Sequence, residues 1–121
     1  MSAMDLSTPL TPAVFYILLA LATGEKHGYE IMKQVKQDAS GKVKMGNGTM
    51  YGSLKRMLAN DLIAEAGDRI DPRLDDERRR YYRLTERGQR ALNAEMERYV
   101  ETVSLLRKRN LIAGNSFGVS I

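Results

Sequence analysis

The chain has 121 residues, of which 43% are hydrophobic and 28% charged, and this length and composition fit one small globular domain with at most a short appendage. Nineteen lysines and arginines against fifteen acidic residues give a net charge of +4, which suits a nucleic-acid partner. The absence of cysteine excludes disulfides, thiolate metal sites and thiol nucleophiles, and a single histidine excludes a histidine-based metal cluster within one chain.

The chain shows no sign of membrane insertion or secretion. Its longest apolar run, residues 13–22, is ten residues long. That is about half the length that crosses a bilayer. Residues 1–5 lack the basic charge of a secretory signal. We therefore expect a cytoplasmic protein with no membrane partner.

The first predicted element is an apolar helix over residues 12–23. Thr11 followed by Pro12 is typical of an N-cap and a first helical position, and Gly24 supplies the end of the helix. Because nearly all its residues are apolar, we expect this helix to be buried on most sides, in part by a second chain.

A second, amphipathic helix is predicted over residues 28–39, and the alternating residues 42–45 favour a short strand after it. His27 stands directly before the second helix. It has no obvious partner in the sequence, so we expect it to cap or turn the chain rather than to catalyse a reaction or bind a metal.

The third predicted helix runs to about Asn60, with Asn47 as its N-cap. Its apolar residues recur at helical spacing and form a core face, while its polar and basic residues, with Ser53 among them, fall largely on the other side. Residues 39–60 hold four basic and no acidic residues, so the net charge of this segment, +4, equals the net charge of the whole chain. The four are Lys42, Lys44, Lys55 and Arg56.

A β-hairpin is predicted next, with strands at residues 62–66 and 80–84 joined by a long polar loop. The last helix begins after Thr85 as N-cap and extends to about Asn110. Its apolar residues recur at steps of four and three, which is the heptad pattern of a helix that packs on another helix. These residues are Leu92, Met96, Tyr99, Val103 and Leu106.

This order of elements predicts a winged helix-turn-helix, a mainly α fold with a small β-hairpin, followed by a long C-terminal helix. The third helix would enter the major groove, which is about as wide as a helix, and the hairpin would be the wing. Residues 10–84 are then the DNA-binding domain, residues 85–110 the dimerisation helix and residues 111–121 a tail.

The chain resembles the PadR transcriptional regulators, specifically the subfamily with a single C-terminal helix. The segments that carry the resemblance are His27–Ile31 (HGYEI), Gly48–Met57 (GTMYGSLKRM) and Arg79–Gly88 (RRYYRLTERG). Leu18–Leu21 (LLAL) leads to the first of these segments, and the resemblance spans about Leu10 to Arg109, which is most of the chain. Asp61 departs from the family pattern, in which a glycine is usual before the wing, but aspartate also tolerates a left-handed turn. The chain has none of the tryptophans between which some relatives bind flat aromatic compounds.

The resemblance implies that the third helix is the recognition helix of a repressor, which binds a palindromic operator as a homodimer through the last helix and the first helix of a second copy. The implied DNA-contacting positions are Lys44, Asn47, Thr49, Tyr51, Ser53, Lys55, Arg56, Arg78, Arg79 and Arg80. A small-molecule effector would bind in the dimer cleft, where the candidate lining residues are Phe15, Tyr16 and Tyr99. No cofactor, metal or catalytic residue is expected.

Other interpretations stay open at this stage. Lys55 and Arg56 could simply solvate a helix, and the three wing arginines could be neutralised by the acidic residues 75–77 before them. A winged helix can also dock an acidic protein without binding DNA. A small enzyme is a third interpretation, but the sequence offers no catalytic constellation for it.

Overall fold

The computed structural model describes residues 5–6, 8–74 and 77–113, and within them the chain forms four helices and one three-stranded sheet. In chain order the elements are α1 (Pro12–Leu21), β1 (Lys26–His27), α2 (Gly28–Asp38), α3 (Asn47–Ala59), β2 (Ile63–Ile70), β3 (Arg78–Leu84) and α4 (Glu86–Lys108). The predicted class, mainly α with a small β-hairpin, is confirmed. Most of the predicted tail lies outside the described residues.

The N-caps predicted at Thr11 and Thr85 are confirmed. Thr11 Oγ1 accepts a hydrogen bond from the Val14 amide at 3.3 Å, and Thr85 Oγ1 accepts one from the Gly88 amide at 2.9 Å. The prediction for α3 is wrong by one residue. The residue at position 47 is already helical, and the extended residue before it, Gly46, is the N-cap without a side-chain hydrogen bond.

The hairpin strands extend beyond their predicted ends, and the sheet has a third strand. β3 lies between β1 and β2, and both pairings are antiparallel. The ladder of β2 and β3 runs from the pair Ile63–Leu84 to the pair Ile70–Arg78, with an irregularity between Glu65 and Asp68. The strand predicted at residues 42–45 does not form, because those residues connect α2 to α3 without pairing.

All four helices and the wing contribute to one core. Ile17 and Leu18 of α1, Ile31 of α2, Leu54 of α3 and Ile63 of β2 are buried together in it. The remaining residues of α1 are largely half-buried, which agrees with the expectation that this helix is covered on most sides. Over the described ranges, no helix is long and apolar enough to cross a membrane.

The end of α3 is hydrogen-bonded to the start of α4, and we call these contacts the α3–α4 joint. Asp61 adopts the left-handed conformation (φ 60°), as expected for the residue in the usual glycine position. Its carbonyl accepts a hydrogen bond from Thr85 Oγ1 at 2.6 Å, and the carbonyl of Leu62 accepts one from the Thr85 amide at 3.2 Å. Arg87 Nε donates to the carbonyl of Asn60 at 3.1 Å. The recognition-helix candidate is therefore fixed to the long helix.

Candidate nucleic-acid interface

α3 presents a buried face to the core and a basic face to solvent. Met50, Leu54 and Met57 are buried and set the orientation of the helix. Most of the DNA-contacting positions predicted on this helix and in the turn before it are exposed, as that orientation requires. The exposed residues are Lys44, Asn47, Thr49, Tyr51, Lys55 and Arg56.

Ser53 is the exception on α3, and the expectation that it faces solvent is wrong. Its side chain is only 2% exposed. Position 53 is three residues after Met50 and four before Met57, so it falls on the same helical stripe as these core residues. Arg56 Nη2 donates a hydrogen bond of 3.4 Å to Ser53 Oγ, so the serine supports an exposed arginine from beneath.

Tyr51 lies across the first turn of α2, and Gly28 makes this contact possible. A Cβ atom at position 28 would stand 2.7 Å from the Tyr51 hydroxyl oxygen and 3.1 Å from Met50 Cε. Tyr51 is nevertheless 52% exposed, so part of this residue faces solvent where α2 and α3 meet.

The three wing arginines lie on β3, in the part of this strand that pairs with the outer end of β2. Arg78 Nη2 donates to the Asp68 carbonyl at 2.6 Å, and Arg80 forms ion pairs with Glu65 at 3.3 Å and with the Asp68 carboxylate at 3.5 Å. Arg79 is half-buried. Exposed ion pairs of this kind are worth about 0–1 kcal/mol, so the denser negative charge of DNA can replace them. The alternative that acidic residues 75–77 neutralise these arginines is only partly open to inspection, because residues 75 and 76 lie outside the described residues.

A buried polar network, which the sequence did not predict, joins the wing to α2. His27 is the N-cap of α2, as expected. Its Nδ1 accepts a hydrogen bond from the Glu30 amide at 3.4 Å, and Glu30 Oε1 accepts one from the His27 amide at 3.2 Å. His27 Nε2 lies 3.0 Å from Asp71 Oδ2, and Arg73 pairs with both Asp71 and Glu30. Hydrogen bonds from Arg73 and then His27 hold the pKa of Asp71 far below its ordinary value.

The same residues include a potential metal-ligand set, since donor atoms of His27, Glu30 and Asp71 all lie within 4.8 Å of one another. The contacts of these atoms fit an ion-pair network better than a metal site. The Arg73 guanidinium already lies against both carboxylates. In addition, a metal-bound histidine donates a hydrogen bond through its second nitrogen, whereas Nδ1 of His27 accepts one.

α4 carries an exposed apolar strip, but it does not begin at the predicted residue. Leu92 packs in the core of its own chain, so its assignment to the dimer seam is wrong. Farther along the helix, Met96 and Tyr99 are exposed, and Val100 is 68% exposed. Val103 and Leu106 are half-buried.

The three candidate ligand-lining residues do lie together. The ring centroids of Phe15 and Tyr16 are 5.2 Å apart, as are those of Phe15 and Tyr99, and both contacts are edge-to-face. This aromatic group forms where α1 packs on α4.

Glu95 is a buried carboxylate beside the aromatic group. Its Oε1 accepts a hydrogen bond from the Leu10 amide at 3.2 Å and pairs with Arg98. Burial by itself raises the pKa of Glu95. The hydrogen bonds from Arg98, Tyr99 and the Leu10 amide outweigh burial, so the pKa is lowered overall. Glu95 thus holds the segment before α1 against α4.

Comparison with known proteins gives one consistent family. The family model of the Transcriptional regulator PadR-like family matches residues 17–94. A PadR family transcription regulator from Clostridium difficile is similar over 81% of this chain and 97% of its own, at 28% identity and a TM-score of 0.66. A transcriptional regulator from Clostridium thermocellum is similar over 78% of this chain and 89% of its own, at 25% identity and a TM-score of 0.61.

Bacillus subtilis PadR in complex with operator DNA shares the fold with a TM-score of 0.56 at 24% identity, over 66% of this chain and 44% of that protein. No match is found among curated protein sequences.

Proposed function

The chain belongs to the PadR-like family of transcriptional regulators, and from that membership we propose that it is a cytoplasmic repressor that binds a palindromic operator as a homodimer. The observation that carries the DNA-binding part is the exposed face of α3, which bears Lys55 and Arg56 and no acidic residue. The family is one of regulators, so no enzymatic activity is assigned.

In this proposal α3 lies in the major groove and the wing reaches the adjacent backbone or minor groove. Lys44 and Lys55 neutralise phosphates, which positions the protein without reading the sequence. Arg56 has the planar, two-pronged group that suits a guanine edge, and its hydrogen bond to Ser53 limits its freedom before binding. The fold shared with Bacillus subtilis PadR, which is solved with its operator DNA, supports this arrangement.

The dimer is proposed to form through the exposed strip on α4, with α1 of the second copy packing against it. Met96, Tyr99 and Val100 would otherwise leave apolar side chains in water. A two-fold dimer places its recognition helices in successive major grooves, about 34–36 Å apart. A small-molecule effector would bind beside Phe15, Tyr16 and Tyr99 and change that spacing.

The experiment is DNA binding by fluorescence anisotropy, with duplexes from the intergenic region upstream of the gene, at several salt concentrations. We expect log K to fall linearly with log[salt], with a slope of about −0.9 for each neutralised phosphate. Reversing the charge of two α3 residues (Lys55→Glu, Arg56→Glu) should weaken binding about 100-fold at 0.1 M salt, because two basic groups no longer neutralise phosphates.

The matched control makes the same charge change on exposed residues in the last turn of α4 (Arg107→Glu, Lys108→Glu). We expect this variant to bind nearly as well as the unmodified chain. Equally weakened binding in both variants would mean that only net charge matters. Absence of binding at low salt would refute the proposal and leave the docking of an acidic protein as the function to test.

A further inference from the structure

Asp71 is a buried carboxylate in an otherwise exposed part of the wing. It directly follows β2 and is 2% exposed, although Ile70 and Pro72 on either side are exposed. Its two oxygens accept four hydrogen bonds. Oδ1 accepts from the Arg73 amide at 3.0 Å and from Arg73 Nε at 3.1 Å, and Oδ2 accepts from His27 Nε2 at 3.0 Å and from Arg73 Nη2 at 3.2 Å. A charge is buried at such a position only when its partners are fully supplied.

The partner on α2 is equally constrained. His27 is 1% exposed, and its ring packs edge-to-face on Tyr81 with centroids 5.2 Å apart. Since Nδ1 accepts a hydrogen bond from the Glu30 amide, the neutral ring carries its proton on Nε2 and donates it to Asp71. We call the four residues His27, Glu30, Asp71 and Arg73 the wing latch.

The latch lies at the far end of the β2–β3 ladder, where it has the most effect on the direction of the wing. Asp71 follows Ile70, whose partner in the last pair of the ladder is Arg78. Nearer the body of the protein, the ladder is irregular between Glu65 and Asp68, and Gly67 has a φ of +90°. A two-stranded ribbon is marginally stable by itself. The part of the β2–β3 ribbon beyond the irregularity can therefore bend unless contacts with the rest of the protein hold it.

We propose that Asp71 is a positioning residue for DNA binding: through His27 and Arg73 it holds the outer wing against α2, in the orientation in which Arg78, Arg79 and Arg80 meet DNA. This inference rests on the proposed DNA-binding function. It assigns a role in affinity to a residue that carries the wrong charge for contact with DNA.

The test removes the negative charge of Asp71. An asparagine at position 71 keeps one acceptor oxygen but offers donors where Arg73 and His27 also donate, so Asp71→Asn opens the latch. The substitution also removes one negative charge from the chain, which by electrostatics alone strengthens DNA binding. Asp68→Asn is the matched control. It makes the same change on an exposed residue of the same hairpin whose side chain pairs only with Arg80 in the described structure.

We expect Asp71→Asn to bind operator DNA about tenfold more weakly at 0.1 M salt for each wing arginine that no longer meets a phosphate, with a salt slope shallower by about one unit per arginine. Asp68→Asn should bind as well as the unmodified chain or better. Hydrogen exchange should become faster at the amides of residues 68–71, 73–74 and 78–80 in Asp71→Asn and stay unchanged in α3 and α4.

His27→Asn is the second variant, because asparagine still caps a helix but cannot reach Asp71 as the ring does, and it leaves the net charge unaltered. It should reproduce the weaker binding and the shallower slope if Asp71→Asn fails to fold. The inference is overturned if a folded latch variant binds like Asp68→Asn with an unchanged salt slope. Failure of the unmodified chain to bind DNA would instead refute the proposed function.

Discussion

The α3–α4 joint depends on a glycine, and replacing it provides a sharp test of the structure. A Cβ atom at Gly88 would stand 2.0 Å from the carbonyl oxygen of Leu62 and 3.0 Å from Leu84 Cδ1. The carbonyl belongs to the backbone and accepts the hydrogen bond from the Thr85 amide. Gly88→Ala therefore forces α4 away from the end of α3 by about 1 Å or breaks that hydrogen bond.

The size of the effect follows from three contributions. Overpacking costs about 1–3 kcal/mol, and breaking one hydrogen bond costs about 0.5–1.5 kcal/mol. The higher helix propensity of alanine stabilises the folded chain by about 1 kcal/mol and offsets part of this cost. We expect a net decrease of about 2 kcal/mol in the free energy of unfolding and a fall in Tm of roughly 6–12 °C for a domain of this size.

The assay is urea unfolding, monitored by circular dichroism at one protein concentration, since the stability of the proposed dimer depends on protein concentration. Gly52→Ala is the control. That glycine is also helical, but the nearest atom to its added Cβ is Arg56 Nη1 at 3.5 Å, an ordinary contact. Gly52→Ala should raise stability by up to about 1 kcal/mol. Equal or higher stability of Gly88→Ala would refute the close packing of α4 on the end of α3.

Three further substitutions test the core, the buried carboxylate and the α4 strip. Leu54→Ala should cost about 2–5 kcal/mol in urea unfolding, because this side chain is fully buried in the core. Since the pKa of Glu95 is lowered in the folded chain, its stabilising effect is present above the ordinary value of 4.5 and is lost as the pH falls below it. Tm should therefore fall more steeply in the unmodified chain than in Glu95→Gln as the pH falls from about 5 to 3, and equal falls would contradict this role. Val100→Glu should convert the proposed dimer to monomer in size-exclusion chromatography with light scattering, and an intact dimer would place the interface elsewhere.

Local signals predict much of the fold. Thr11 and Thr85 can be identified as caps because a cap depends on neighbours within three residues, and the long helix follows from its apolar periodicity. The residue type at position 47 favours a cap there, but the helix begins one residue earlier than that assignment requires. β1 has only two residues, so no periodicity can indicate it, and its pairing with β3 creates it.

The site is only partly predictable, because some of its features depend on distant parts of the chain. The exposed basic residues of α3 follow from helical spacing, and so does the burial of Ser53, which lies three residues after Met50 and four before Met57. The wing latch joins His27 to Asp71 across 44 positions of sequence, and no local pattern marks such a pair. The one sequence signal for it is weak: an aspartate before a proline in a polar loop.

Because the α3–α4 joint fixes α3 to α4, the long helix is a lever that turns together with α3. α4 has 23 residues. It is therefore about 34 Å long, and a tilt of about 10° at the joint moves its far end by about 6 Å. In the proposed dimer the converse also holds, because a shift of the two far ends against each other turns each recognition helix through a matching angle. In that dimer, the angle between the two long helices would set the distance between the two α3 helices, and so the operator spacing that the dimer fits.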